Sequence, residues 1–214
     1  MAAHVQRILR ILDDLYPWDG RCFLDHQTPW QLLFATILSA QCTDERVNQV
    51  TRELFARFPT LESYAQADLH DLEAVVHSTG FFRAKARHLQ QTARLLLEKH
   101  GGQVPPDMDA LTALPGVGRK TANVVRGHAF GLPGVTVDTH VGRVTRRLGL
   151  APHTCPVKME FALMDILPPS HWLRYNQQII THGRSVCSAR SPRCGTCGLA
   201  SVCAKQGVEE KCDK

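Results

Sequence analysis

Nothing in this chain of 214 residues reads as a leader, a membrane anchor or a sheet. The first ten residues, Met1 to Arg10, lack the charged and then apolar run of a secretory signal. The longest apolar run, Leu32–Leu38, is far too short to span a bilayer. No stretch alternates apolar and polar residues for long enough to require a strand, and no repeat or low-complexity tract is evident. Acidic residues are scarce between 119 and 150, where Asp138 alone stands against Arg119, Lys120, Arg126, Arg143, Arg146 and Arg147. That one segment carries a net of five positive charges, equal to the whole formal excess of +5. Such a concentration is expected of a surface that faces a polyanion, with a merely solvated basic face as the alternative. Eight cysteines without a secretory signal point to metal or redox chemistry rather than a disulfide frame. The expected setting is a reducing cytosol, in contact with the nucleoid.

What is present is helical periodicity with frequent Gly and Pro punctuation. It predicts an all-α chain of about ten short helices. Val5, Ile8, Leu9, Leu12 and Leu15 share one helical face, closed by Pro17 and Gly20. Thr28 or Pro29 starts a buried helix through Leu32–Leu38, and Thr43 caps the next, which carries Val47, Val50 and Leu54. Thr60 or Ser63 caps another piece, Asp68 to His77 forms a short helix, and a longer helix runs from Arg83 to His100. Gly101 to Pro106 is a break. Asp138 or Thr139 is the natural cap of a helix through Val141, Val144 and Leu148, with Gly142 inside it at a cost of up to ~1 kcal/mol.

The stretch with most chemical content is Leu114-Pro115-Gly116-Val117-Gly118-Arg119-Lys120-Thr121-Ala122. A short helix precedes it and a second, with Ala122, Val125 and Ala129 on one face, follows it. Two glycines two apart permit positive φ and a close approach to their amides. A turn opening onto a helix start offers N–H groups and the positive end of the helix dipole to an anion such as a phosphate. Lys120 falls in the first turn of the second helix, where a cation is disfavoured. That placement biases its amine toward the neutral, nucleophilic form used in Schiff-base chemistry. On local pattern alone the turn is also a tight connection, Lys120 a solvated lysine and Asp138 a structural cap.

The tail holds Cys187-x6-Cys194-x2-Cys197-x5-Cys203, four thiols within seventeen residues. A set of four cysteines suits tetrahedral zinc or an iron–sulfur cluster, and this spacing by itself decides between neither. Cys22, Cys42, Cys155 and Cys212 lie outside the set and read as ordinary thiols. Arg190 and Arg193 put positive charge on the loop between the first two cysteines.

Taken together, the hairpin, Val137-Asp138-Thr139-His140 and the cysteine spacing resemble endonuclease III, a helix-hairpin-helix DNA glycosylase of base excision repair. Leu38-Ser39-Ala40-Gln41, Thr43-Asp44 and the turn from Gly80 to Lys85-Ala86 resemble it too, so the likeness covers nearly the whole chain. The resemblance implies two all-α domains with DNA in the cleft between them. A six-helix barrel domain would span 21–132, including the hairpin at 108–128, and a cluster domain would combine 1–20 with 133–214. It implies a [4Fe–4S] cluster on Cys187, Cys194, Cys197 and Cys203. It also implies Lys120 and Asp138 as catalytic residues facing each other across the cleft. Double-stranded DNA with damaged pyrimidines or abasic sites would be held by Leu114, Gly116, Val117, Gly118, His140, Arg190 and Arg193. Gln41 would fill the gap left by a flipped base, and Phe81 would wedge into the opposite strand. The implied state is a monomer with no membrane association.

Two positions depart from the pattern: Phe81 stands where an aliphatic wedge is expected, and Gly142 where a bulkier residue is. Within the superfamily, a pyrimidine-dimer glycosylase and an adenine-mismatch glycosylase share parts of this pattern, the latter normally without the lysine. A non-catalytic DNA-binding module accounts for the hairpin and the cysteines but leaves Lys120 and Asp138 unexplained.

Overall fold

The computed structural model describes residues 2–208, so Cys212 lies outside the described residues. Among them are eleven α-helices, three short 3-10 helices and no strand, an all-α chain as expected. The helices in chain order are α1 (Ala2–Leu15), α2 (Pro29–Leu38), α3 (Asp44–Arg57), α4 (Leu61–Gln66) and α5 (Leu69–Val76). They continue with α6 (Phe82–His100), α7 (Met108–Thr112) and α8 (Arg119–Phe130). The last are α9 (Thr139–Leu148), α10 (Pro156–Ile166) and α11 (Trp172–Ser185). No helix among the described residues is long and apolar enough to cross a membrane. The chain divides into two compact units, Cys22–Leu132, and Met1–Arg21 together with Pro133–Lys214.

The unit Cys22–Leu132 is built around α2, whose residues Leu32 to Leu38 are all buried. A helix that is apolar on every side has to lie inside its unit. Its start is set locally: Thr28 accepts from the Gln31 amide, Gln31 reaches back to the cap backbone, and Pro29 takes the first helical position. Such a cap contributes about 1 kcal/mol. Thr60 and Ser63 form the same reciprocal cap on α4, and Thr43 caps α3 by accepting from the Arg46 amide. Phe34 and Tyr64 meet edge to face at 4.8 Å between ring centres, and Trp30 joins both at 5.5 and 5.7 Å.

In the other unit, Val5, Ile8, Leu9 and Leu12 of α1 are buried in a second core, as their spacing predicts. Leu15 is not: it is 43% exposed, because the last turn of α1 runs past that core and lays the side chain over Gly198. A Cβ on Gly198 would stand 2.8 Å from Leu15 Cδ1. The sequence reading assigned no helix between 151 and 186, where α10 and α11 lie. The buried face of α11 explains the omission. It carries Tyr175, Asn176, Gln178, Ile179, His182 and Gly183, mostly polar or small residues that hide an apolar period.

The polar side of that face holds α1. Asp13 Oδ1 accepts from Gln178 Nε2 at 2.8 Å, and Gln178 Nε2 also donates to the Tyr16 carbonyl at 3.1 Å. His171 Nε2 lies 3.3 Å and Arg174 3.6 Å from the same carboxylate. Burial raises the Asp13 pKa, but the hydrogen bonds from Gln178 and His171 and the Arg174 charge outweigh it and hold the carboxyl below its usual range. A carboxylate depressed on folding contributes stability that is complete above its unfolded value of about 3.9 and is lost as pH falls through the folded value. Asp13→Asn should therefore lower Tm at pH 7, and its deficit against wild type should shrink as the pH is taken below about 4. Thermal melts across that range check this; a deficit that ignores pH would assign Asp13 to packing alone.

Candidate functional site

The hairpin lies within the unit Cys22–Leu132. Asp107 caps α7 by accepting from the Asp109 and Ala110 amides at 3.0 and 2.9 Å. Leu111, Leu114 and Val117 are buried, which pins the turn to the core. The side chains of Leu114 and Val117 therefore face inward, and only their backbone is available to a ligand. Thr92 of α6 donates to the Pro115 carbonyl at 3.3 Å, and the Val117 amide donates to Leu114 at 3.1 Å. The two glycines do different work. Gly116 has φ +76°, and a Cβ there would stand 2.6 Å from His88 Nδ1, so both the backbone and α6 exclude a side chain. Gly118 has φ −94°, which any residue adopts, and a Cβ on it would meet nothing within 4 Å. Its missing side chain leaves the start of α8 open.

Two helices of this unit start without a side-chain cap, α6 after Phe81 and α8 after Gly118. Thr28, Thr43, Thr60, Asp68 and Asp107 each place a side-chain oxygen on the first amides of their helices, whereas Gly118 has none to offer α8. The first amides of a helix need acceptors, and an anion supplies them. Lys120, exposed, is the second residue of α8.

Gln41 and Phe81 are in the same unit, and both have left-handed backbone, φ 54° and 49°. Outside glycine that conformation is uncommon, and for a bulky residue such as Phe it is strained. Both are exposed, Phe81 to 66%. Gly80, before Phe81, has φ 72° and ψ 155°, a region open essentially to glycine alone.

The other unit holds Asp138 and the cysteines. Asp138 caps α9, accepting from the Val141 amide through Oδ1 at 2.7 Å. His140 accepts at Nδ1 from Arg143 at 3.2 Å, and Arg143 also donates to the carbonyls of Gly183 and Cys187, both at 3.0 Å. Burial lowers the His140 pKa, with Asp138 opposing and the Arg143 charge reinforcing it, so a neutral ring faces the guanidinium. Gly183 makes this packing possible, since a Cβ there would stand 2.9 Å from His140 Nδ1 and 3.0 Å from Arg143. A Cβ on Gly142 would meet only Val137 at an ordinary 3.8 Å, so the position has room for a larger residue.

Cys187, Cys194, Cys197 and Cys203 line one pocket, walled by Val144, Leu148 and Leu199. None is in a disulfide. Donors surround the sulfurs. Arg147 reaches Cys187 Sγ at 3.3 Å and the Lys205 amide reaches Cys203 Sγ at 3.4 Å. His182, buried, takes Tyr16 Oη at Nδ1 (2.8 Å) and stands 3.6 Å from Cys197 Sγ through Nε2. Burial pushes the Cys197 and Cys203 thiols up, and the neighbouring cysteines push the same way. Thiols that hinder one another's ionisation need a cation centre to hold them as thiolates, and the surrounding N–H donors suit the resulting negative charge. The donor set fits an iron–sulfur cluster. Arg143, Arg147, His182 and Gly183 were not singled out from sequence for these contacts; their spacing from Asp138 and Cys187 on α9 and α11 was the available signal.

Arg190 is exposed on the cysteine loop. Arg193 is exposed too, but its guanidinium donates to the Ser185 carbonyl and so ties the loop back to the end of α11. Cys155 is exposed at the start of α10, and Cys22 and Cys42 pack on the core of the other unit.

Comparison with known proteins agrees with this geometry. Residues 34–169 match the HhH-GPD superfamily base excision DNA repair protein family, and 187–203 match the iron-sulfur binding domain of endonuclease III. Endonuclease III of Synechocystis sp. is 54% identical over 207 residues, covering 95% of this chain and 94% of its own. The Escherichia coli K12 enzyme is 41% identical over 180 residues, covering 84% and 85%. A solved non-covalent endonuclease III–DNA complex superposes with a TM-score of 0.90 at 42% identity, covering 96% of each chain. A thermostable thymine-DNA glycosylase at 21% identity and TM-score 0.84 shares the fold. The fold and the matched families are those of a base excision repair glycosylase with an iron–sulfur binding domain. The chain belongs to the endonuclease III family. It is a DNA glycosylase with AP lyase activity and carries a [4Fe–4S] cluster.

Cys197→Ala should lose the broad visible absorbance of the cluster and most of the bound iron per chain, read by absorbance and metal analysis. A variant with a full complement of iron would remove Cys197 from the ligand set.

Proposed function

We propose that this enzyme removes oxidised pyrimidines from duplex DNA and cuts the strand 3′ to the lesion, with Lys120 as nucleophile and Asp138 as its partner. The observation that carries the reading is the exposed Lys120 on the first turn of a helix whose leading amides have no side-chain cap. A trapped covalent endonuclease III–DNA intermediate, from a protein 42% identical to this chain, supports a covalent step.

A damaged base has to leave the stack to be reached, at least cost for a lesion that pairs poorly. Neutral Lys120 Nζ attacks C1′ of the flipped nucleotide, the C1′–N bond breaks, and the base leaves with a proton. The amine keeps its remaining proton while O4′ takes one up, relayed by Asp138, as the sugar ring opens to a protonated Schiff base. That cation acidifies the C2′ hydrogen, whose loss expels the 3′ phosphate by β-elimination. Asp138 stabilises positive charge developing on the sugar and assists the proton transfers.

The Gly116 and Gly118 amides hold a backbone phosphate, a positioning contact that reads no sequence. His140 lies beside Asp138 on the same DNA face, Gln41 fills the vacated space, and the Phe81 ring wedges the opposite strand. Cys187, Cys194, Cys197 and Cys203 hold the cluster, which when bound supplies a rigid cross-link for the loop bearing Arg190 and Arg193. The unit Cys22–Leu132 is the barrel domain and the other unit the cluster domain. The enzyme acts as a monomer on damaged DNA in the nucleoid.

Borohydride trapping on a duplex with one thymine glycol tests the chemistry. Wild type should give a cross-linked band, and Lys120→Gln should give none, with strand cleavage reduced by at least about 10³-fold. Cleavage retained by Lys120→Gln would refute the nucleophile; no band from wild type would move the substrate to pyrimidine dimers or adenine mispairs. The phosphate contacts are tested separately. The logarithm of the binding constant should fall linearly with the logarithm of salt concentration, by about 0.9 per phosphate engaged, and Arg190→Ala should reduce the slope by about one contact. An unchanged slope would take Arg190 off the DNA.

A further inference from the structure

One cation of the unit Cys22–Leu132 is buried where the mechanism does not use it. Lys85, in the first turn of α6, is 4% exposed, and its ammonium donates to the Leu38 carbonyl at 2.8 Å and the Thr79 carbonyl at 2.7 Å. Both partners are neutral. Burial pulls its pKa below the ordinary lysine value, with the Cys42 thiol opposing. A buried charge is costly, and here only hydrogen bonds to two carbonyls offset the hydration it has lost.

Where the two bonds go is informative. Leu38 is the last residue of α2, three before Gln41, and Thr79 ends a 3-10 turn, two before Phe81. Beyond each carbonyl the chain enters its left-handed residue, Gln41 at φ 54° and Phe81 at φ 49°. Each turn is closed on its own side: Thr79 Oγ1 donates to Val76 at 2.8 Å, and the Cys42 amide donates to Ser39 at 3.1 Å. Lys85 is the bond that joins one turn to the other. A strained backbone persists when its surroundings over-determine it, and the ammonium supplies that restraint to two such residues at once.

We infer that Lys85 is a positioning residue, whose buried ammonium clamps the end of α2 to the turn before α6 and so sets the spacing of the two side chains that enter the opened duplex. This rests on the reading of Gln41 and Phe81 as those side chains. The clamp acts on base extrusion and leaves the covalent step alone. Its loss falls on duplex substrates, where a pair has to be opened and held. An abasic site in a single strand has no pair to open and escapes it.

The test is Lys85→Met, which keeps the length and removes the donors. Single-turnover excision of thymine glycol from a duplex should fall by about 10- to 100-fold. Cleavage of a single-stranded abasic oligonucleotide by the same preparation should stay within about twofold of wild type. In protein that retains wild-type visible absorbance and circular dichroism, equal loss on both substrates, or loss on neither, overturns the clamp. If Lys85→Met does not fold, Gly80→Ala decides, since it strains the same turn while its Cβ meets nothing within 4 Å; the same duplex-selective loss is expected and its absence refutes the proposal. The Gln41→Ala, Phe81→Ala double variant separates the two failures. If it excises from duplex DNA like wild type, the reading beneath the clamp falls and the clamp with it.

Discussion

An α-helix begins with amides that cannot be satisfied inside it, and the contrast between helices that cap themselves and α8, which does not, bears on the site. Helices α6, α10 and α11 also start without a side-chain cap. Thr28, Thr43, Thr60, Asp68, Asp107 and Asp138 each supply an oxygen from their own side chain. At α8 the position falls to Gly118, which has no side chain to give. The rest of the hairpin holds that helix start steady while leaving it open. Leu111, Leu114 and Val117 are sunk in the core, Thr92 holds the Pro115 carbonyl, and Gly116 fits against His88 only because it lacks a Cβ. The proposed grip on a phosphate, with Lys120 two residues after Gly118, calls for both properties together.

At α9 the same demand is met by Asp138. As the cap of α9 it commits one oxygen to the Val141 amide, which orients the carboxylate. Behind it Arg143, bonded to His140, donates to the carbonyls of Gly183 and Cys187, so the helix carrying the aspartate is packed directly on the first cysteine of the set. The cluster pocket and the aspartate therefore share one rigid foundation, and Gly183 is the small residue that allows α9 and α11 to come so close.

Much of the fold was legible because its causes are local. The caps of α2, α3 and α4 and the apolar faces of α1 and α2 follow from residues within a turn or two of one another. Where the cause was distant, sequence reasoning fell short. Helix α11 went unassigned because its buried positions hold Asn176, Gln178 and His182, polar residues whose burial makes sense only once Asp13, Tyr16 and Cys197 are beside them. Leu15 has the spacing of a core residue, yet the core ends a turn before it and it covers Gly198 instead. Leu114 and Val117, grouped with the DNA contacts, have their side chains in the core.

By itself the sequence determined the all-α class, most of the helix starts, the hairpin and the four-cysteine set, since each depends on periodicity, capping or spacing over a few residues. Only the tertiary structure decided which glycine of the hairpin cannot carry a side chain: Gly116, at φ +76° and with His88 Nδ1 2.6 Å from where a Cβ would stand. It alone showed that Gln41 and Phe81 share left-handed backbone and that a buried Lys85 ties the segments before them together. A hydrogen bond between residues 47 apart has no local signature: Lys85 can seek two carbonyls only after the helices that bear them have packed.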